Sequence, residues 1–75
     1  MNRRPVSSSN IASIGWQESE EGSGEGTLEV AFRSGHLYAY QGVPQSTYQQ
    51  LLGATSVGKT FRAIIMDRYD QTRVE

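Results

Sequence analysis

The chain has no cysteine and a single histidine, His36. Without thiols there is neither a disulfide nor a thiolate zinc site, and one imidazole cannot build a histidine metal cluster. His36 stands beside Arg33 at a hairpin end, no serine triad can be recognised around it, and no pair of carboxylates sits on a rigid element. Nothing therefore points to catalysis or to a cofactor. Long apolar runs are also missing, which excludes a membrane-crossing helix. Met1 is followed by polar residues, with no apolar stretch after Arg3 and Arg4, so no signal peptide is visible and a cytoplasmic location is expected. Apolar residues make up only 36% of 75 positions, short of the roughly 45–50% usual in globular chains. So short a chain excludes a two-domain enzyme and a nucleotide-binding doubly wound sheet. With a thin core and no covalent staple, stability has to come from packing or self-association, and a homo-oligomer is expected.

The net charge of -1 is the sum of two unlike parts. Glu18, Glu20, Glu21 and Glu25 are interleaved with Gly22, Gly24 and Gly26, so 18–26 reads as a solvated acidic loop. The rest carries seven basic residues against four acidic ones. A nearly neutral chain can thus hold a mildly basic face suited to phosphate-bearing ligands.

Residues 1–10, with Pro5 and the run Ser7-Ser8-Ser9-Asn10, read as an N-terminal arm. Alternation predicts strands over 11–17, 27–33 and 36–41, joined as an antiparallel meander. With Ser34-Gly35 as a two-residue loop, Arg33 opposes His36 and Val30 opposes Ala39. Tyr38 and Tyr40 then share the polar face with Glu29 and Ala31; a loop one residue longer or shorter would turn both tyrosines onto the Val30 face. Pro44 suits a first helical turn, Tyr48, Leu51 and Leu52 follow helical spacing, and Gly53 ends that helix. A second helix starts at Ser56 as N-cap and buries Phe61, Ile64, Ile65 and then Arg68 or Tyr69. Residues 70–75 read as a tail. The expected fold is α+β, a three-stranded antiparallel meander with two C-terminal helices on one face, forming a single domain over 11–69.

Two constellations could bind a ligand. Gly53-Ala-Thr-Ser-Val-Gly58-Lys59-Thr60 satisfies the phosphate-loop pattern. That loop needs a buried strand before it, and here a helix precedes it, so a triphosphatase is rejected. A weaker anion site survives in Ser56, Gly58, Lys59 and Arg62 at the helix start, with ordinary capping as the alternative. Tyr38 and Tyr40, one pleat apart, can stack on bases or fill a subunit seam.

In order along the chain, Val6-Ser-Ser-Ser-Asn-Ile-Ala-Ser-Ile-Gly15, Thr27-Leu-Glu-Val-Ala-Phe-Arg-Ser-Gly35, Tyr38-Ala-Tyr40, Val43-Pro44, Ser56, Gly58-Lys59, Phe61 and Asp67-Arg-Tyr69 resemble the KTSC domain. That domain is described at the C-terminus of some lysyl-tRNA synthetases and as a free-standing short protein of bacteria and phages. The resemblance implies RNA binding. Similar proteins carry Asn, His and Arg where this second helix has Arg62, Ile64 and Met66, which suits a compact ligand or a subunit interface better than a long polyanion. The expectation is a non-catalytic protein binding nucleotides or RNA phosphates through Tyr38, Tyr40, Ser56, Gly58, Lys59 and Arg62. Its narrower form is a phage-type sponge for a cyclic nucleotide immune messenger, acting in the host cytoplasm. The alternative is an oligomerisation module with no nucleotide ligand.

Overall fold

The structure, a computed structural model, describes residues 3–20, 22 and 24–74. Met1, on which the signal-peptide reading began, and Glu21 of the acidic loop and Glu75 of the tail lie outside the described residues. Among the described residues five antiparallel strands form one sheet in sequence order: β1 (Arg4–Pro5), β2 (Ile11–Glu18), β3 (Glu25–Phe32), β4 (Leu37–Pro44) and β5 (Gln71–Arg73). Two helices, α1 (Gln45–Leu52) and α2 (Val57–Ile64), lie between β4 and β5. The α+β class and both helices are as expected, but the sheet has five strands instead of three. The arm contributes β1 and the tail contributes β5, and segments of two or three residues are too short to show a period.

The β3–β4 turn departs from the two-residue reading. The Phe32 N–H donates to the His36 carbonyl at 2.9 Å, the Gly35 N–H donates to the Phe32 carbonyl at 3.0 Å, and Gly35 has φ +99. The loop is therefore Arg33-Ser34-Gly35, a turn closed by one glycine of positive φ. A two-residue primed turn would have placed Ser34 at positive φ, which an L-serine resists. The one-residue difference pairs Val30 with Tyr38 and Leu28 with Tyr40. Both tyrosines thus turn onto the helix-covered face, opposite to the polar face expected for them.

Two bulges complete the core. Ala12 is the extra residue between the Ile11–Phe32 and Ser13–Ala31 pairs, so that Ile11 and Ile14, three apart, are both buried. Gly42, with φ +72, does the same for Tyr40 and Val43. These four side chains pack with Leu28, Val30, Leu51, Val57, Phe61 and Ile65. Trp16 closes one edge, stacking on Tyr48 at 6.3 Å and donating its indole N–H to the Val43 carbonyl at 2.9 Å. The α2 stripe ends earlier than expected. Residues 65–68 form turns, Asp67 has φ +63, Arg68 is exposed, and Tyr69 alone of that pair packs on the core.

Among the described residues no helix covers the other sheet face, where small residues such as Ser13, Gly15, Ala31, Ala39 and Thr72 accompany Leu37 and Glu29. There Arg3, Gly15, Glu29, Ala39 and Thr72 share a row, and Arg3 reaches across the bare backbone of Gly15 to the Glu29 carboxylate at 2.9 Å. Gly26 permits a close approach of β2 and β3, because a Cβ at that position would overlap the Gln17 carbonyl. Gly26→Ala should therefore break the β2–β3 ladder at its end and cost at least about 2 kcal/mol. The loss is read as a fall in the urea midpoint, large against the roughly 3–5 kcal/mol that so small a domain holds.

Candidate functional site

The Arg33-Ser34-Gly35 turn also sets the position of the N-terminal arm. The Arg33 N–H donates to the Asn10 carbonyl at 2.8 Å and its guanidinium Nε donates to the Ser8 carbonyl at 2.7 Å. The Ser8 hydroxyl accepts from the Asn10 and Ile11 N–H groups, each at 3.3 Å, which rounds the arm into β2. Held in this way, residues 7–10 run beside the first turn of α2. At Gly58 a Cβ would sit 3.4 Å from the Ser8 hydroxyl, the limit of ordinary contact.

Between arm, turn and α2 lies a groove with two joined hollows. One, of about 480 Å³, has Phe32, Phe61 and Met66 as its apolar wall and Arg33 and Arg62 at its rim. The other, of about 420 Å³, is lined by Ser7, Ser8, Ser9, Ser56, Lys59 and Arg62 among others. They share Ser9, Asn10, Gly58 and Arg62, and no Asp or Glu lines either one among the described residues. Ser56 caps α2, its hydroxyl accepting from the Lys59 N–H at 3.4 Å. Capping and a basic groove thus coexist here instead of being alternatives. Among the described residues, the side chains of Lys59 and Arg62 make no hydrogen bond or ion pair and both are exposed. Lys59 and Arg62, three residues apart, share a helix face. Cations of this kind form charge-assisted bonds to phosphate oxygens, and an adjoining aromatic wall can hold a base. The phosphate-loop geometry itself is absent, since α1 and not a strand leads into Gly53, and Gly58, Lys59 and Thr60 lie in the first turn of α2.

Of the residues singled out from sequence, Ser56, Gly58, Lys59 and Arg62 meet in this groove. Tyr38 and Tyr40 do not, and the open tyrosine face on which stacking or a subunit seam would lie is a correction. Tyr40 is 3% exposed, with its ring 5.6 Å from that of Phe61, and Tyr38 packs edge-on against Phe32 at 5.7 Å. They reach the groove only indirectly, by fixing the two phenylalanines in its wall. Sequence reasoning missed Arg33, Ser8, Ser9 and Asn10 as groove residues; the Ser-rich arm was the available signal, but only the turn register brings it to α2. No group of three or more His, Asp or Glu residues able to hold a metal is found among the described residues, and none of their helices is long and apolar enough to cross a membrane.

The KTSC domain profile matches residues 7–69, and the chain belongs to the KTSC family. A KTSC domain protein of Yersinia pestis, known from its crystal structure, superposes with a TM-score of 0.87 at 34% identity, covering 99% of this chain and 97% of that one. An uncharacterized protein of Stutzerimonas stutzeri is 35% identical over 69 residues, 92% of this chain and 90% of its own. A protein of Tsukamurella paurometabola is 32% identical over 66 residues, 88% of this chain and 91% of its own. These similarities carry no tie to lysyl-tRNA synthetases.

Burial, and then the neighbouring Tyr38 and Asp67 charges, push the Tyr40 phenol above its ordinary value of 10.0. A raised folded-state value means that the folded chain keeps a proton the unfolded chain releases, so stability is full below pH 10 or so and falls as pH rises through the folded value. Phenolate absorbance should show one tyrosine titrating later than an unfolded tyrosine, and the urea midpoint should drop over the same interval. In Tyr40→Phe that alkaline drop should shrink.

Proposed function

We propose that this KTSC protein is a non-catalytic binding protein for a nucleotide or an RNA phosphate, held in the groove between the arm, the 33–35 turn and α2. The observation that supports this reading is the convergence of Arg33, Lys59 and Arg62 on a groove with no acidic lining among the described residues, whose other wall is Phe32 and Met66 over the buried Phe61 ring. A phosphate takes the Lys59 and Arg62 end, and a base lies against the part-exposed Phe32 ring and Met66. Sequestration of a cyclic nucleotide messenger by a phage-type protein is the narrower form of this proposal. So is a homo-oligomer whose second copy covers Met66, which is 44% exposed.

Calorimetry with mononucleotides, cyclic dinucleotides and short RNA tests the reading. Binding is expected with at least one of them, and chromatography should recover the ligand chemically unchanged. Replacing Lys59 and Arg62 together by Ala should weaken it tenfold or more, since bonds to charged groups contribute about 1.5–3 kcal/mol each. No heat with any of them overturns the proposal, and a hydrolysed ligand would make the protein an enzyme. Gly58→Ala offers a second check. The added methyl reaches only ordinary contact with Ser8 while helix propensity improves by about 0.5–1 kcal/mol. The melting temperature should therefore hold or rise while affinity falls, because the methyl protrudes where the two hollows join.

A further inference from the structure

The groove continues past the two hollows already described. A third, of about 380 Å³, is lined by Arg4, Pro5, Val6, Leu52 and Ala54 among others, and it shares Ser7, Thr55 and Val57 with the Lys59 hollow. Arg4 pairs with Ile14, whose side chain is in the core, so Arg4 stands on the helix side of the sheet. Along the arm from Arg4 to Asn10 the path is six residue steps, at most about 20 Å at roughly 3.3 Å per step. Each hollow alone falls within the roughly 300–1,000 Å³ of a small-ligand site, and three joined end to end exceed what one nucleotide fills. Their chemistry also repeats. An apolar seat at Phe32, Phe61 and Met66 is followed by Lys59 and Arg62, then by a second apolar seat at Val6 and Leu52 beside Arg4. No acidic side chain lines any of the three among the described residues. Alternating apolar and cationic stations match a strand of alternating bases and phosphates, whereas a single compact ligand needs only one of each.

We propose that the occupant is a linear phosphodiester chain, a single-stranded oligonucleotide of at least two phosphates laid along the arm with Arg4 at its far end. This rests on the phosphate-binding reading of the groove and specifies its ligand.

Fluorescence polarisation of end-labelled oligoribonucleotides of one to six residues, with a cyclic dinucleotide as competitor, tests it over a range of salt concentrations. Affinity should climb with length and level off at three or four residues. The salt dependence of the tetranucleotide should be steeper than that of the mononucleotide, by about 0.7 in log–log slope for each added phosphate contact. Arg4→Ala should leave mononucleotide affinity unchanged, weaken the tetranucleotide several-fold and flatten its slope by about 0.7. Arg4→Lys should restore both, and melting curves of the variants exclude misfolding as the cause. A tetranucleotide that binds no tighter than the mononucleotide, a silent Arg4→Ala, or a cyclic dinucleotide that outcompetes the linear chain overturns the inference and leaves the phosphate site standing. Absence of binding by every ligand, mononucleotide included, overturns both.

Discussion

The turn Arg33-Ser34-Gly35 lies between β3 and β4, and the positive φ of Gly35 closes it with the Phe32–His36 pair at its base. Because strand side chains alternate with period two, this loop length decides which face each β4 residue occupies as far as the Gly42 bulge. It turns Tyr38 and Tyr40 inward, and with them the edge-on contacts that fix Phe32 and Phe61. It also places the Arg33 backbone and guanidinium where they bind the arm at Asn10 and Ser8. Core composition and groove shape thus share one local cause.

The thin core inferred from composition is enlarged by the same turn. Two tyrosines expected on an open face become part of the buried cluster or its packed margin, and two bulges bring Ile11 and Val43 onto the face already held by Ile14 and Tyr40. A chain with 36% apolar residues thereby covers one face of a five-stranded sheet with two short helices. The opposite face holds Leu37 and Ala39 and is crossed by the Arg3–Glu29 bridge. An exposed bridge of this kind adds little stability, so the helix-side cluster carries the fold.

Segments with strong local chemistry were legible in the sequence. Pro44 and Gly53 bound α1, Ser56 caps α2, the β3 alternation survives throughout, and that of β2 survives from Ile14 to Trp16. What was hidden depends on tertiary pairing. β1 and β5 are too short to carry a period, and the bulges at Ala12 and Gly42 break the period where it would have been counted. The turn itself was readable in part, since Gly at the third loop position favours a glycine-closed turn, whereas Ser-Gly fits a primed two-residue loop poorly. Likewise Ser56, Gly58, Lys59 and Arg62 stood out through a phosphate-loop look-alike, while Arg33 and the serine arm join them only through the fold.

Amide chemical-shift mapping during titration with a mononucleotide addresses the groove most directly. The predicted result is a contiguous set of shifts at Ser8, Asn10, Arg33 and Gly58 through Arg62, with Ala31, Ala39 and Thr72 on the far face of the sheet unmoved. Shifts gathered on that far face, or scattered without reference to the basic groove, would contradict the assignment of ligand binding to this side of the molecule.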